Sequence, residues 1–375
     1  MIPRLVSNVI LILAPTGAYA IWITIACAVL TSAVAVLIFI LSKSVISWLP
    51  ARVAVSAITL LIPLSAQEVL GNLANFHWYL LWLAPWLLLA LPERWRTAWA
   101  LAVVALLAGL TEIQMALFLP FFLVRWRGKK SWPIFGGLAL GVGFQLATAL
   151  FFPRPLPTEG RPSLGSMVYG YLVNVVFPLF DPSARDIGVV MSVSTGVAVP
   201  ILLAAIPLAA FLFILVKGSR DQRVLAIGLV IGSGVAFVFA FYVNAIPGLF
   251  YSQFAASDWL TSVPLLRYGV AAGMMLIAIV PIAASVLVES GSSVPSPKAK
   301  PSKKIFGAVM VIATISALAI ASPAAGQVRG QIPSWSQQLD VVQDECASAA
   351  DEEKNEVAIA PSGWKVDVTC EEASR

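Results

Sequence analysis

The sequence predicts an all-α, multi-spanning membrane protein with about ten membrane segments, two short-helix hairpins among them, and a small C-terminal tail. Three observations carry that expectation. Hydrophobic residues make up 59% of the 375 and charged residues 11%, whereas soluble domains have about 45–50% and about 25%. Charge-free apolar runs recur up to residue 321 and then stop. The basic residues collect in short loops between those runs: 15 of the 24 lie in 42–52, 92–96, 125–132, 217–223 and 289–304. Basic loops stay cytoplasmic, so the net charge of +5 reads as helix orientation rather than an anionic partner, and nothing points to nucleic acid. The expected location is the plasma membrane, multi-pass, with both termini and both hairpin tips outside.

In order, residues 1–6 form a short lead-in, and Pro15 breaks the chain again. Residues 17–41 run without a charge, long enough at about 1.5 Å per residue for a hydrocarbon layer of roughly 30 Å. They lack the basic flank and small-residue cleavage site of a signal peptide. Two hairpins follow, 53–66 with 73–91 and 97–110 with 115–124. Three of these four arms are short, so their polar tips should sit below the membrane surface, facing protein or a water-filled cavity. Spans are expected at 133–152, 189–216, 224–244, 269–288 and 305–321. The proline-rich stretch 153–157 closes the first of these. Between it and Gly188, Tyr169, Tyr171 and Phe177 are spaced for a partly interfacial segment, and residues 245–268 form a second aromatic-rich loop. Trp95, Trp99, Trp126 and Trp132 should line the cytoplasmic interface.

The chain divides into a transmembrane domain, 1–321, and an extracytoplasmic tail, 322–375. The tail is acidic at Asp344-Glu345, Asp351-Glu352-Glu353 and Glu371-Glu372, and two alternating runs, 357–360 and 364–368, read as short strands around Pro361-Ser362-Gly363. Cys27 lies within a span, which leaves Cys346 and Cys370 to oxidise outside. Such a bridge closes a loop of about 25 residues and supplies roughly 3 kcal/mol. Without it, roughly 50 residues bury too little apolar surface to fold alone.

Polar groups at membrane depth are costly, because protein partners must replace water. Glu68, Asn72, Asn75 and His77, the sole histidine, fall within ten positions. Asn72, Asn75 and His77 either cap and cross-link their hairpin or form a site. Glu68 needs a cation such as Arg267, or a metal. Glu112 with Gln114 repeats the pattern at the second tip. Trp78, Trp82 and Trp86 share one helical face, as core packing, an interface stripe or a stacking platform. Arg267 opens a helix from outside, where it either grips a lipid phosphate or anchors the interface. Arg4 is a weaker equivalent, and Tyr268 reads as a belt residue. Glu68, Glu112, His77 and Arg267 should converge on one cavity open to the outer leaflet.

The run from Glu68 to Leu80, the opening Ile2-Pro3-Arg4-Leu5-Val6 and the later Leu266-Arg267-Tyr268-Gly269 resemble multi-spanning actinobacterial membrane proteins similar to the GT-C superfamily of integral membrane glycosyltransferases. The resemblance implies transfer of a sugar from a polyprenyl-phosphate donor to a glycan acceptor at the outer membrane face. Glu68 or Glu112 would then serve as general base or as ligand to a divalent cation. His77, Asn72 and Asn75 would orient the acceptor hydroxyl, and Arg267 would hold the donor phosphate, with Arg4, Trp78, Gln114 and Tyr268 lining the substrate. GT-C enzymes usually carry a catalytic acid on the first external loop, yet nothing acidic precedes Glu68. The expectation is a chain lacking the N-terminal span and that loop, a non-catalytic relative, or an enzyme whose acid lies elsewhere. A carrier or flippase for a lipid-linked glycan, and a structural subunit of an envelope assembly, stand beside the enzyme. No pseudo-symmetric halves are evident, which favours the enzyme over the carrier.

Overall fold

The computed structural model describes residues 1–153, 160–244, 246–261, 263–289, 301–323, 333–346, 354–359 and 364–373. In chain order the helices are α1 (Ile2–Leu13), α2 (Tyr19–Leu41), α3 (Leu49–Leu61), α4 (Ser65–Glu68), α5 (His77–Leu88), α6 (Trp95–Gly109), α7 (Phe122–Arg125), α8 (Trp132–Phe151), α9 (Leu164–Tyr171), α10 (Ala184–Ser192), α11 (Ala198–Lys217), α12 (Arg220–Asn244), α13 (Ala256–Thr261), α14 (Gly269–Glu289), α15 (Pro301–Ala321), α16 (Trp335–Cys346) and α17 (Cys370–Ala373). Among the described residues, six helices are long and apolar enough to cross a membrane, namely α2, α8, α11, α12, α14 and α15. That is compatible with a multi-pass membrane protein, with shorter apolar helices in place of the other expected spans.

The hairpin arms are short. At about 1.5 Å per residue, the 13 residues of α3, the 12 of α5 and the 15 of α6 fall well short of a layer of roughly 30 Å. The returning arm of the second hairpin is wound as a 3-10 helix, Ile113–Phe121, before α7. Two expectations need correction. The lead-in is a 12-residue helix, α1, begun by Pro3 in its first turn and ended before Pro15. The single span expected at 189–216 is broken: α10 ends at Ser192, Val193 is extended, and α11 starts at Ala198. The chain folds back tightly there, and a Cβ on Gly196 would stand 1.8 Å from the Val190 carbonyl oxygen.

Two helices form the axis. Every residue of α5 after His77 is buried, and so is 94% of the apolar stretch of α14. Helices α3, α5, α11, α12 and α15 pack on α14, so it has no lipid-facing side. Trp82 and Trp86 belong to this core, edge to face with 5.3 Å between ring centres, and the Trp82 Nε1–H donates to Thr59 Oγ1 at 3.0 Å. Their stripe is therefore packing rather than a platform.

Helices α6 and α8 approach most closely where Gly137 and Gly141 face Ala102 and Leu106. Added Cβ atoms would lie 2.3 and 2.5 Å from those carbonyl oxygens, a small-residue contact of the kind that joins helices in lipid. Gly141→Leu is expected to destabilise the protein by about 1–3 kcal/mol through overpacking. The check is thermal unfolding in detergent, and an unchanged midpoint would show that the pair separates freely.

Polar networks lock the end of the bundle opposite the hairpin tips. Glu289 accepts from Ser47 N (3.2 Å), Ser47 Oγ (2.6 Å), Trp48 N (3.2 Å) and Gln222 Nε2 (2.9 Å), and also from Ser285 Oγ. Arg125 pairs with Asp221 at 3.0 Å and donates from Nε and Nη2 to the Leu89 carbonyl. The basic loops gather at this end, although residues 290–300 of the last one lie outside the described residues.

The tail is a small α/β unit. Strands β1 (Lys354–Ile359) and β2 (Trp364–Thr369) pair antiparallel, with Lys354 opposite Thr369 and Ile359 opposite Trp364. The expected turn at 361–363 and the acidic run 351–353 lie outside the described residues. A disulfide joins Cys346 to Cys370 with 5.4 Å between Cα atoms, and Leu339, Val342, Val357, Val368 and Ala373 form the core. The Trp335 Nε1–H donates to the Thr16 carbonyl at 2.9 Å and its ring meets Tyr19, which docks the tail at the start of α2.

Candidate functional site

The site sits on the N-terminal ends of the two axial helices. Helix α3 stops at Ile62, which Pro63 holds extended. The chain turns through α4 and through Gly71, whose φ of 73° suits a residue without a Cβ. The Asn72 side-chain oxygen then accepts from Ala74 N at 3.0 Å, capping the 3-10 turn Leu73–Asn75. Asn75 Nδ2 donates to the Glu68 carbonyl at 3.0 Å. Both asparagines are thus occupied in shaping the tip. His77 opens α5 and Gly269 opens α14.

Two ionisable pairs meet above these ends. Glu68 Oε2 lies 3.1 Å from Arg267 Nη1, both side chains about a quarter exposed. At the second tip, Glu112 is buried, one carboxylate oxygen accepting from Gln114 N at 2.9 Å while the other lies 3.8 Å from His77 Nε2. His77 Nδ1 stands 2.9 Å from the Ala74 carbonyl. A carbonyl only accepts, so this nitrogen carries the hydrogen and Nε2 is left facing the carboxylate. Rings link the pairs: His77 to Trp78 at 4.5 Å, Trp78 to Tyr268 at 5.9 Å, and the Arg267 guanidinium over Tyr268 at 5.5 Å. Glu68, Arg267, Tyr268, Trp78, His77 and Glu112 therefore form one connected row. Helix N-termini carry partial positive charge, and here two of them lie beside a guanidinium, an arrangement suited to an anion.

Unpaired groups border the row. The Trp78 Nε1–H and the Gln114 side-chain oxygen are buried with no hydrogen-bond partner, a donor and an acceptor that a bound molecule or water would satisfy. Arg4 is exposed on α1, and Ile2 of that helix donates its N–H to Thr111 Oγ1 at 3.4 Å beside Glu112.

Sequence reasoning missed what holds Arg267 in place. Asn174, fully buried in the π-turn Leu172–Val176, accepts from Leu266 N at 2.6 Å. It also donates to the Gly170 carbonyl at 2.9 Å and to Tyr251 Oη at 3.1 Å, while the Tyr251 hydroxyl donates to the Pro264 carbonyl at 2.6 Å. These bonds pin the turn at Leu172–Val176 to the segment just before Arg267. The signal was an amide amid Leu172-Val173-Asn174-Val175-Val176, the same kind that marks Asn72 and Asn75.

The residues present do not fit a protein-held divalent cation. Glu68 is engaged by Arg267, Glu112 by Gln114 N, and among the described residues no three His, Cys, Asp or Glu side chains gather as a metal centre requires. No family model, curated protein or solved structure matches this chain.

Proposed function

We propose that this protein is a GT-C-like integral membrane glycosyltransferase that moves a sugar from a polyprenyl-phosphate donor to a hydroxyl acceptor at the membrane face holding the hairpin tips. The observation that carries the reading is the His77–Glu112 pair, 3.8 Å apart and joined through Trp78 and Tyr268 to Arg267. A hydroxyl seated between them can donate its one hydrogen to either Nε2 or the carboxylate, both of which accept. Its proton passes to this unit as the oxygen attacks the anomeric carbon and the bond from that carbon to the phosphate oxygen breaks. Polyprenyl phosphate leaves with the bonding electrons. Arg267 and the ends of α5 and α14 offset the charge that builds on the leaving phosphate. Glu68 neutralises Arg267 when no phosphate is bound.

The carrier reading draws on one observation, that the site lies at the ends of helices too short to cross the bilayer. Proteoliposomes separate the two. Purified protein supplied with a panel of radiolabelled polyprenyl-phosphate sugars and glycan acceptors should move label from the lipid to the acceptor, and Arg267→Ala should do so at least tenfold more slowly. Movement of intact lipid-linked sugar between leaflets, without transfer, would replace the enzyme by the carrier.

A further inference from the structure

The end of the bundle opposite this site holds a second feature that the proposed reaction does not use. Two adjoining depressions of about 590 and 410 Å³ share Trp132 as a common wall. The first is walled by Trp95, Trp99 and Pro133 with Lys129 at its mouth, and the second runs on between Phe122, Phe135 and Ala139. Trp132 is fixed in orientation, because its Nε1–H donates to the Trp126 carbonyl at 2.7 Å and its ring meets Phe122 at 6.0 Å. The floor is open at Gly136, where an added Cβ would touch nothing within 4 Å.

Charge selects the occupant. Among the described residues Lys129 is exposed and its side chain has neither an ion pair nor a hydrogen bond. Arg94 and Arg96 flank Trp95, Arg127 covers the Trp126 ring, and Lys130 donates to the Glu93 carbonyl. Glu93 is the acidic residue beside these cations, which leaves the mouth strongly positive. Half-exposed tryptophans mark the depth at which lipid headgroups lie. An aromatic-walled apolar slot with an unpaired cation at headgroup level matches an amphiphile with a negative head and hydrocarbon chains.

We propose that this groove binds one anionic phospholipid, its phosphate against Lys129 and an acyl chain along the apolar wall from Trp132 to Ala139. The site is independent of the sugar-transfer reading. The test uses the full chain in phosphatidylcholine vesicles containing a small fraction of brominated lipid, the bromine carried on phosphatidylglycerol or on phosphatidylcholine. Brominated chains quench nearby tryptophan, and the difference between wild type and Trp132→Phe isolates the groove. Brominated phosphatidylglycerol should quench that signal at about fivefold lower mole fraction, the factor corresponding to one lysine near an anionic headgroup. Lys129→Gln should bring the ratio close to one. Gly136→Leu, which the open floor accommodates, should abolish quenching by both lipids while leaving the thermal midpoint unchanged. Equal quenching by both lipids in the wild type would overturn the proposal, as would a preference that survives Lys129→Gln. So would a groove shielded from both lipids in a protein that sediments as a dimer, which would assign the surface to a second copy.

Discussion

Replacing Glu112 by glutamine is expected to lower sugar transfer by about 10²–10⁴-fold, the usual contribution of a positioned acid or base. The substitution is selective. Glutamine keeps a side-chain oxygen that can accept from Gln114 N, so the turn into the 3-10 helix persists, while the charge facing His77 Nε2 is lost. His77→Gln should give a loss of similar size. If the two side chains act as one proton-accepting unit, the double variant will be no slower than the slower single variant, because residues acting together are strongly non-additive. Rates at saturating donor and acceptor, read beside thermal midpoints, make the check. Glu112→Gln retaining more than half the wild-type rate would remove this carboxylate from the mechanism, and multiplicative losses would separate the two roles.

Loss of the Cys346–Cys370 bridge should have the largest effect on stability, and it should be confined to the tail. The cysteines are 24 residues apart, and closing such a loop removes about 3 kcal/mol of chain entropy from the unfolded tail. A core of Leu339, Val342, Val357, Val368 and Ala373 is too small to compensate. The Cys346→Ser/Cys370→Ser variant should therefore lose protease resistance in the tail while the helical part stays intact. The contact of Trp335 with Thr16 and Tyr19 should disappear with it. Equal resistance in the presence and absence of the bridge would show that docking on α2, rather than the disulfide, maintains the unit.

The helical class was legible because lipid-compatible helices are written as long charge-free runs, as in α2 and α14. Hydropathy averages over short breaks, so the turn at Gly196 was hidden inside the apparent span 189–216. Glu68 and Arg267 could be paired in advance because an acid at that depth requires a cation, and they stand 3.1 Å apart. The roles of Asn72 and Asn75 were not legible, since an amide that caps a turn and one that binds a ligand look alike in sequence. Glu289 looked like the flank of a span, yet it collects hydrogen bonds from Ser47, Trp48, Gln222 and Ser285. Such networks join residues as many as 242 positions apart, and local pattern carries no trace of them.

The burial of α14 bears on how the chain is made. Synthesis proceeds from the N-terminus, so α3, α5, α11 and α12 are made before the helix they surround, and α15 follows it. The earlier helices cannot close into their final ring while its centre is missing, and any compact arrangement they adopt must reopen to admit the 21 residues of α14. The contacts centred on α14 therefore form only after its own synthesis. Arg267, two residues before α14, is made 199 positions after the Glu68 it pairs with.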